Sequence, residues 1–102
     1  MEEKVLRKLF LGFIHIHILH HAKEQPIFGA WMVEELRDHG YSISPGTLYP
    51  ILHSMEREGL LSREDQLAEG KIRKYYTTTE KGESILVEAR KKAYELFKEI
   101  KD

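Results

Sequence analysis

The sequence has no cysteine, which excludes a disulfide scaffold, a thiol nucleophile and a thiolate zinc site. It also lacks a long apolar run. The most apolar stretch, Leu9–Leu19, is far shorter than the roughly 20 residues a spanning helix needs, and it contains His15 and His17. No small-residue cleavage site of a secretory signal accompanies it, so no membrane association and a cytoplasmic location are expected. An excess of one charge is missing too. Sixteen Lys and Arg face 17 Asp and Glu, a formal net charge of −1, which is not the overall footprint of a nucleic-acid binder. Any surface for nucleic acid must therefore be a local concentration of cations. No Ser-His-Asp set or paired-carboxylate constellation stands out, so no catalytic residues, no enzyme activity and no cofactor are expected.

What is present is enough for one domain of 102 residues with a single core. The first helix is expected from Glu2 to Lys23. Leu6, Leu9, Phe10, Phe13, Ile14 and Ile16 are too dense for one narrow stripe, and a helix so apolar is buried on more than one side. A partner subunit is the simplest cover. Gln25-Pro26 breaks the pattern, because proline disfavours helical geometry in the residue before it. A second helix is expected over Phe28–His39, with Trp31, Met32, Leu36 and Phe28 inward and Gly40 as a left-handed cap.

Ser44 as N-cap and Pro45 at the first helical position open a third helix, which ends at Gly59. Leu48, Ile51, Leu52 and Met55 give it a buried face. Pro50 costs it one backbone hydrogen bond, a smaller loss near the first turn than in mid-helix. Extended runs follow at Leu60–Arg63 and Lys71–Thr78, with a turn at Ala68-Glu69-Gly70. Thr79 then caps a last helix over Glu80–Ile100. The expected class is mainly α with a small β-hairpin, a winged helix-turn-helix with a C-terminal dimerisation helix. Residues 1–79 would form the DNA-binding part, including the first helix, and residues 80–102 the dimerisation helix.

The exposed side of the third helix offers Ser44, Gly46, Thr47, Tyr49, Pro50 and His53. Hydroxyls and amides at a helix N-terminus suit phosphate contacts. Thr47 and His53 have base-edge reach, and Pro50 is shaped to pack on a thymine methyl. The hairpin carries Lys71, Arg73 and Lys74, followed by Tyr75. Lys71 and Arg73 share one face of the strand and Lys74 takes the other. Alone, this cluster reads equally well as a charged edge strand that resists aggregation; beside the third helix it favours DNA. Leu86, Ala89, Ala93, Leu96 and Ile100 recur in steps of three and four, the seam of a helix pair, for which folding back on the domain is the competing reading.

Ser44-Pro45-Gly46-Thr47-Leu48-Tyr49-Pro50-Ile51-Leu52, continuing through Met55-Glu56-Arg57-Glu58-Gly59-Leu60, resembles the signature of PadR-type regulators. Arg73-Lys74-Tyr75-Tyr76 and Thr79-Glu80-Lys81-Gly82 extend the match. The resemblance implies a winged-helix repressor that binds a palindromic double-stranded DNA operator as a homodimer through its terminal helices. The single final helix resembles the smaller subfamily. Where the family often has His-Gly-Tyr, this chain has Phe28-Gly29-Ala30-Trp31. Some members bind flat aromatic compounds at the dimer interface. For such a small aromatic effector Tyr94 and Phe97 are the candidates here, and a tryptophan on the last helix is lacking.

Two other readings stand beside this one. Between Tyr41 and Thr79, five cations (57, 63, 71, 73, 74) balance five anions (56, 58, 64, 65, 69), which suits a winged-helix module that binds protein. His17, His20 and His21 suit a metal-responsive regulator, since an i,i+4 histidine pair can hold zinc. The sequence offers no recognisable companion carboxylate or HExxH pattern, so no metal ligands are assigned and a partly buried helix with polar interruptions is the favoured account.

Overall fold

In the computed structural model, which describes residues 2–102 and all their side chains except that of Glu2, the elements follow the expected order. They are α1 (Glu2–Glu24), α2 (Gly29–Asp38), α3 (Pro45–Arg57), the antiparallel pair β1 (Leu61–Ala68) and β2 (Lys71–Thr78), and α4 (Glu80–Ile100). Met1, the start of the expected 1–79 segment, lies outside the described residues.

The caps explain the boundaries. Ser44 accepts a hydrogen bond from the Thr47 amide and Thr79 accepts one from the Gly82 amide, so α3 and α4 begin where their side-chain acceptors stand. Gly40 and Gly59 close α2 and α3 with φ of +92° and +82°. The hairpin is longer than its propensities suggest. β1 extends through Glu64-Asp65-Gln66 to Ala68, because pairing with β2 supplies a partner for each residue from Leu61↔Thr78 to Ala68↔Lys71. Glu69 and Gly70, at φ +53° and +79°, make a two-residue turn of the kind whose twist suits a hairpin.

One core joins all the elements. Ile14, Ile18, Leu19 and Ala22 of α1 meet Met32, Val33 and Leu36 of α2 and Leu48, Leu52 and Met55 of α3. Ile27, Leu61, Tyr76 and Leu86 complete it. Ile51, expected inside, is half-buried. Two connections fix the hairpin against the helices. Ile27 exchanges backbone hydrogen bonds with Tyr76 at 3.0 and 2.8 Å, which ties the start of α2 to β2. Thr78 Oγ1 donates to the Leu19 carbonyl at 2.8 Å, which ties the end of β2 to α1.

The junction between α3 and α4 explains the Thr79–Gly82 run. Thr79 Oγ1 donates to the Gly59 carbonyl at 2.6 Å, and Lys81 Nζ donates to the Glu58 carbonyl at 2.8 Å, placing a cation at the C-terminal end of α3. Gly82 is buried. A Cβ there would strike the Leu60 carbonyl and stand 2.7 Å from Thr78 Cγ2, so only glycine allows this approach.

Candidate nucleic-acid interface

The face of α3 opposite its buried side is small and polar, as its sequence pattern implies. Ser44, Gly46, Tyr49 and Pro50 are exposed, and Thr47 and His53 are half-buried. The hydroxyls at the helix start are engaged locally: Ser44 Oγ accepts from the Thr47 amide and donates to Thr47 Oγ1, both at 3.3 Å. The Tyr49 ring lies across the first residue of α2. A Cβ on Gly29 would stand 2.7 Å from Tyr49 Cζ and Oη. Gly29 therefore makes room for that ring, a role visible only once α2 and α3 are packed.

Across from α3 stands β2. An open groove of about 630 Å³ separates them, floored by Phe28, Gly29 and Ala30 and walled by Tyr49 and His53 on one side and Lys71, Arg73 and Lys74 on the other. The three cations differ in freedom. Lys71 and Lys74 are exposed, whereas the Arg73 guanidinium lies 4.1 Å over the Phe28 ring, a cation–π contact. Tyr75 meets the edge of the same ring, with centroids 5.5 Å apart. Arg73 and Tyr75 thus brace β2 against the start of α2. Phe28 is the anchor for both, a role that helical periodicity, which marks it only as inward, does not reveal.

The near-neutral charge of this region is sorted in space. Arg63 pairs with Asp65 at 3.3 Å and approaches Glu56 at 3.9 Å, so a cation of β1 neutralises two of the nearby carboxylates. Among the described residues, Lys71, Arg73 and Lys74 form no ion pair. Overall neutrality therefore coexists with three cations outside ion pairs on one strand.

Of the seam expected on α4, Leu86 is taken up by the chain's own core. Ala89 and Ala93 line a shallow apolar groove between α1 and α4, with Phe13, Ile16, Tyr94 and Phe97. Leu96 and Ile100 are exposed at 47% and 63%. The first half of α1 is also bare, with Leu6, Leu9 and Phe10 each 43% exposed.

Comparison with known proteins settles the family. The model of the PadR-like family of transcriptional regulators matches residues 18–88. This chain belongs to the PadR-like family. It is 42% identical over 95 residues to transcriptional regulator Rv3488 of Mycobacterium tuberculosis, covering 93% of this chain and 89% of that protein. The crystal structure of a PadR-family transcriptional regulator from Eggerthella lenta superposes with a TM-score of 0.83 at 32% identity, over 96% of this chain and 87% of the other. A PadR-like regulator from Bacillus cereus gives 0.83 at 26% identity, over 92% and 93%. A PadR-like transcriptional regulator is not an enzyme class. Among the described residues of this PadR-like chain, no helix is long and apolar enough to cross a membrane.

Proposed function

We propose that this PadR-like regulator is a cytoplasmic, homodimeric repressor that binds a palindromic DNA operator, with the Ser44–His53 edge of α3 in the major groove and β2 on the flanking phosphates. The observation that carries this reading is the groove with a small polar helix edge on one wall and three unpaired cations on the other. Phosphates set the register of such a complex, and side chains on the helix edge read the bases. Lys71 and Lys74 are the exposed phosphate contacts. Arg73 acts from a fixed position over Phe28.

The dimer is supported by the apolar side chains left bare on α1 and α4. A two-fold pair formed through Ala89, Ala93, Leu96 and Ile100 would cover them and present two copies of α3 to one face of a duplex. The groove beside Tyr94 and Phe97 would then lie at the subunit interface, where a small aromatic effector fits its apolar lining. The repressor role follows from the resemblance of the Ser44–Leu52 run. Selection of bound duplexes from a random pool tests the whole reading. The expected product is an inverted repeat with half-site centres about 10 base pairs, or a multiple, apart. A pool that enriches no motif would favour the protein-binding module instead.

A further inference from the structure

The histidines that the DNA reading leaves unused come together between two helices. On α1, His17 and His21 stand one turn apart. On α2 and its C-cap, Glu35 and His39 have the same i,i+4 spacing. Where α1 and α2 pack, ligand atoms of His17, His21 and His39 all lie within 4.8 Å of one another. The Glu35 carboxylate oxygen is 3.3 Å from His21 Nε2 and 3.1 Å from His39 Nε2. Donors around a tetrahedral zinc ion, with bonds of about 2.0–2.1 Å, stand roughly 3.4 Å apart. Small side-chain rotations close the remaining distance.

A purely structural aromatic cluster is the competing account. The rings do pack: His17 and His39 have centroids 4.7 Å apart, and His17 and His21 are nearly parallel. Stacking explains the ring planes and a hydrogen bond to Glu35 accounts for His39 Nε2, which leaves His21 Nε2 unexplained. His21 Nε2 is buried without a hydrogen-bond partner, its approach to Glu35 lacking the alignment for one. Burial, opposed in part by Glu35, holds His21 below its ordinary pKa. Burial and the neighbouring His39 do the same for His17. Neutral imidazoles with free lone pairs are the form that ligates metal.

We infer that His17, His21 and His39, with the Glu35 carboxylate beside them, form a site for a divalent transition metal of the imidazole-preferring class: Zn²⁺, Ni²⁺, Co²⁺ or Cu²⁺. Mg²⁺ and Ca²⁺ require more oxygen ligands than the Glu35 carboxylate supplies. The site joins α1 to α2, so an ion there would hold the first helix of the DNA-binding pair against the long N-terminal helix. A second group, His20, His21 and Glu24, shares His21 but lies on α1 alone, with His20 and Glu24 exposed.

Titration of the chelator-treated full-length protein with Co²⁺, followed by its visible absorption, tests the site without reference to DNA. One ion per chain and an intense visible band are expected, with Zn²⁺ displacing the Co²⁺ and Mg²⁺ having no effect. Glu35→Gln should weaken binding by about 10-fold, within the range of about 10- to 100-fold seen when a group supporting metal ligands is removed, and His39→Gln, which removes a ligand, should weaken it by at least about 100-fold. His20→Gln should leave binding unchanged. His39 is exposed at the end of α2, so its variant should keep the helical circular dichroism of the parent. If that spectrum changes, His17→Gln replaces it as the test. Absence of a Co²⁺ band, affinity unmoved in a folded His39→Gln or His17→Gln protein, or loss on His20→Gln alone would overturn the assignment.

Discussion

Two surfaces of this molecule expose different kinds of side chain. Along the α3 edge and β2 the exposed groups are mostly hydroxyls, prolines and cations, with Tyr49 and Ile72 as the apolar exceptions. Along the first half of α1 and the second half of α4 the exposed groups include Val5, Leu6, Leu9, Phe10, Tyr94, Phe97 and Ile100. Net charge and mean composition average over the two surfaces and so conceal both. The polar surface is suited to a hydrated, charged partner. The apolar surface is suited to a copy of itself, since bare aliphatic and aromatic surface gains most from mutual burial.

The sharpest way to break this contrast is to charge the apolar surface. Leu96→Glu with Ile100→Glu places two carboxylates on side chains that a single chain already exposes, so the fold should survive. In an apolar interface those carboxylates would cost several kcal/mol, weakening association by roughly 1000-fold. Sedimentation should then show monomers at micromolar concentration, and operator binding should fall with dimerisation. A double variant that sediments as a dimer would place the subunit contact elsewhere.

Neutralising the polar surface has the next largest effect. Replacing Lys71, Arg73 and Lys74 together by Ala should weaken binding to all duplexes. The slope of log affinity against log salt should fall by up to roughly 5.4 for the dimer, about 0.9 for each of the six phosphates that its cations no longer neutralise. Singly, Lys71 and Lys74 should account for most of the change in slope. Arg73→Ala should also loosen the hairpin, because it removes the cation that sits over Phe28. A gel-shift series with an unchanged slope would remove the wing from the DNA interface.

Gly82 sets how closely α4 approaches the end of α3. The atom a Cβ meets first is a backbone carbonyl, which cannot swing aside as a side chain would. Gly82→Ala should therefore cost about 1–3 kcal/mol of stability by overpacking, read as a lowered midpoint in urea with little change in slope. Retention of the parent's midpoint would show that α4 can shift as a unit.

Local chemistry is what made the fold readable. The starts of α3 and α4 follow from Ser44-Pro45 and Thr79, and the ends of α2 and α3 from glycines with positive φ, all features of adjacent residues. The candidate DNA-contacting residues were readable for the same reason, since they lie on one short helix and one strand. What periodicity could not supply was contact between elements. Leu86 fits a seam of threes and fours yet packs into its own core. The packing of Gly29 against Tyr49, the cation of Arg73 over Phe28 and the extension of β1 through Glu64-Asp65-Gln66 all depend on a neighbour distant in sequence. The histidine cluster is the clearest case. The carboxylate that α1 itself offers is Glu24, which lies beside His20 and His21, while α2 carries Glu35 and His39 at the spacing of His17 and His21. Matching ligand spacings on two helices expected to pack together was the available signal.

Ser44 gives the smallest effect and the finest division between fold and function. Its hydroxyl caps α3 and also lies on the edge assigned to DNA. Ser44→Ala should lower stability by about 1 kcal/mol through loss of the cap. Aspartate caps as well as serine and adds favourable charge at the helix N-terminus, so Ser44→Asp should keep the parent's stability. Beside a phosphate backbone the same carboxylate is repelled, and DNA affinity should fall although the fold is intact. Thermal melts and gel shifts on the two variants therefore rank them in opposite orders if this edge faces DNA. The same ranking in both measurements would mean that Ser44 serves the helix alone, and that the reading edge begins further along, toward Tyr49 and His53.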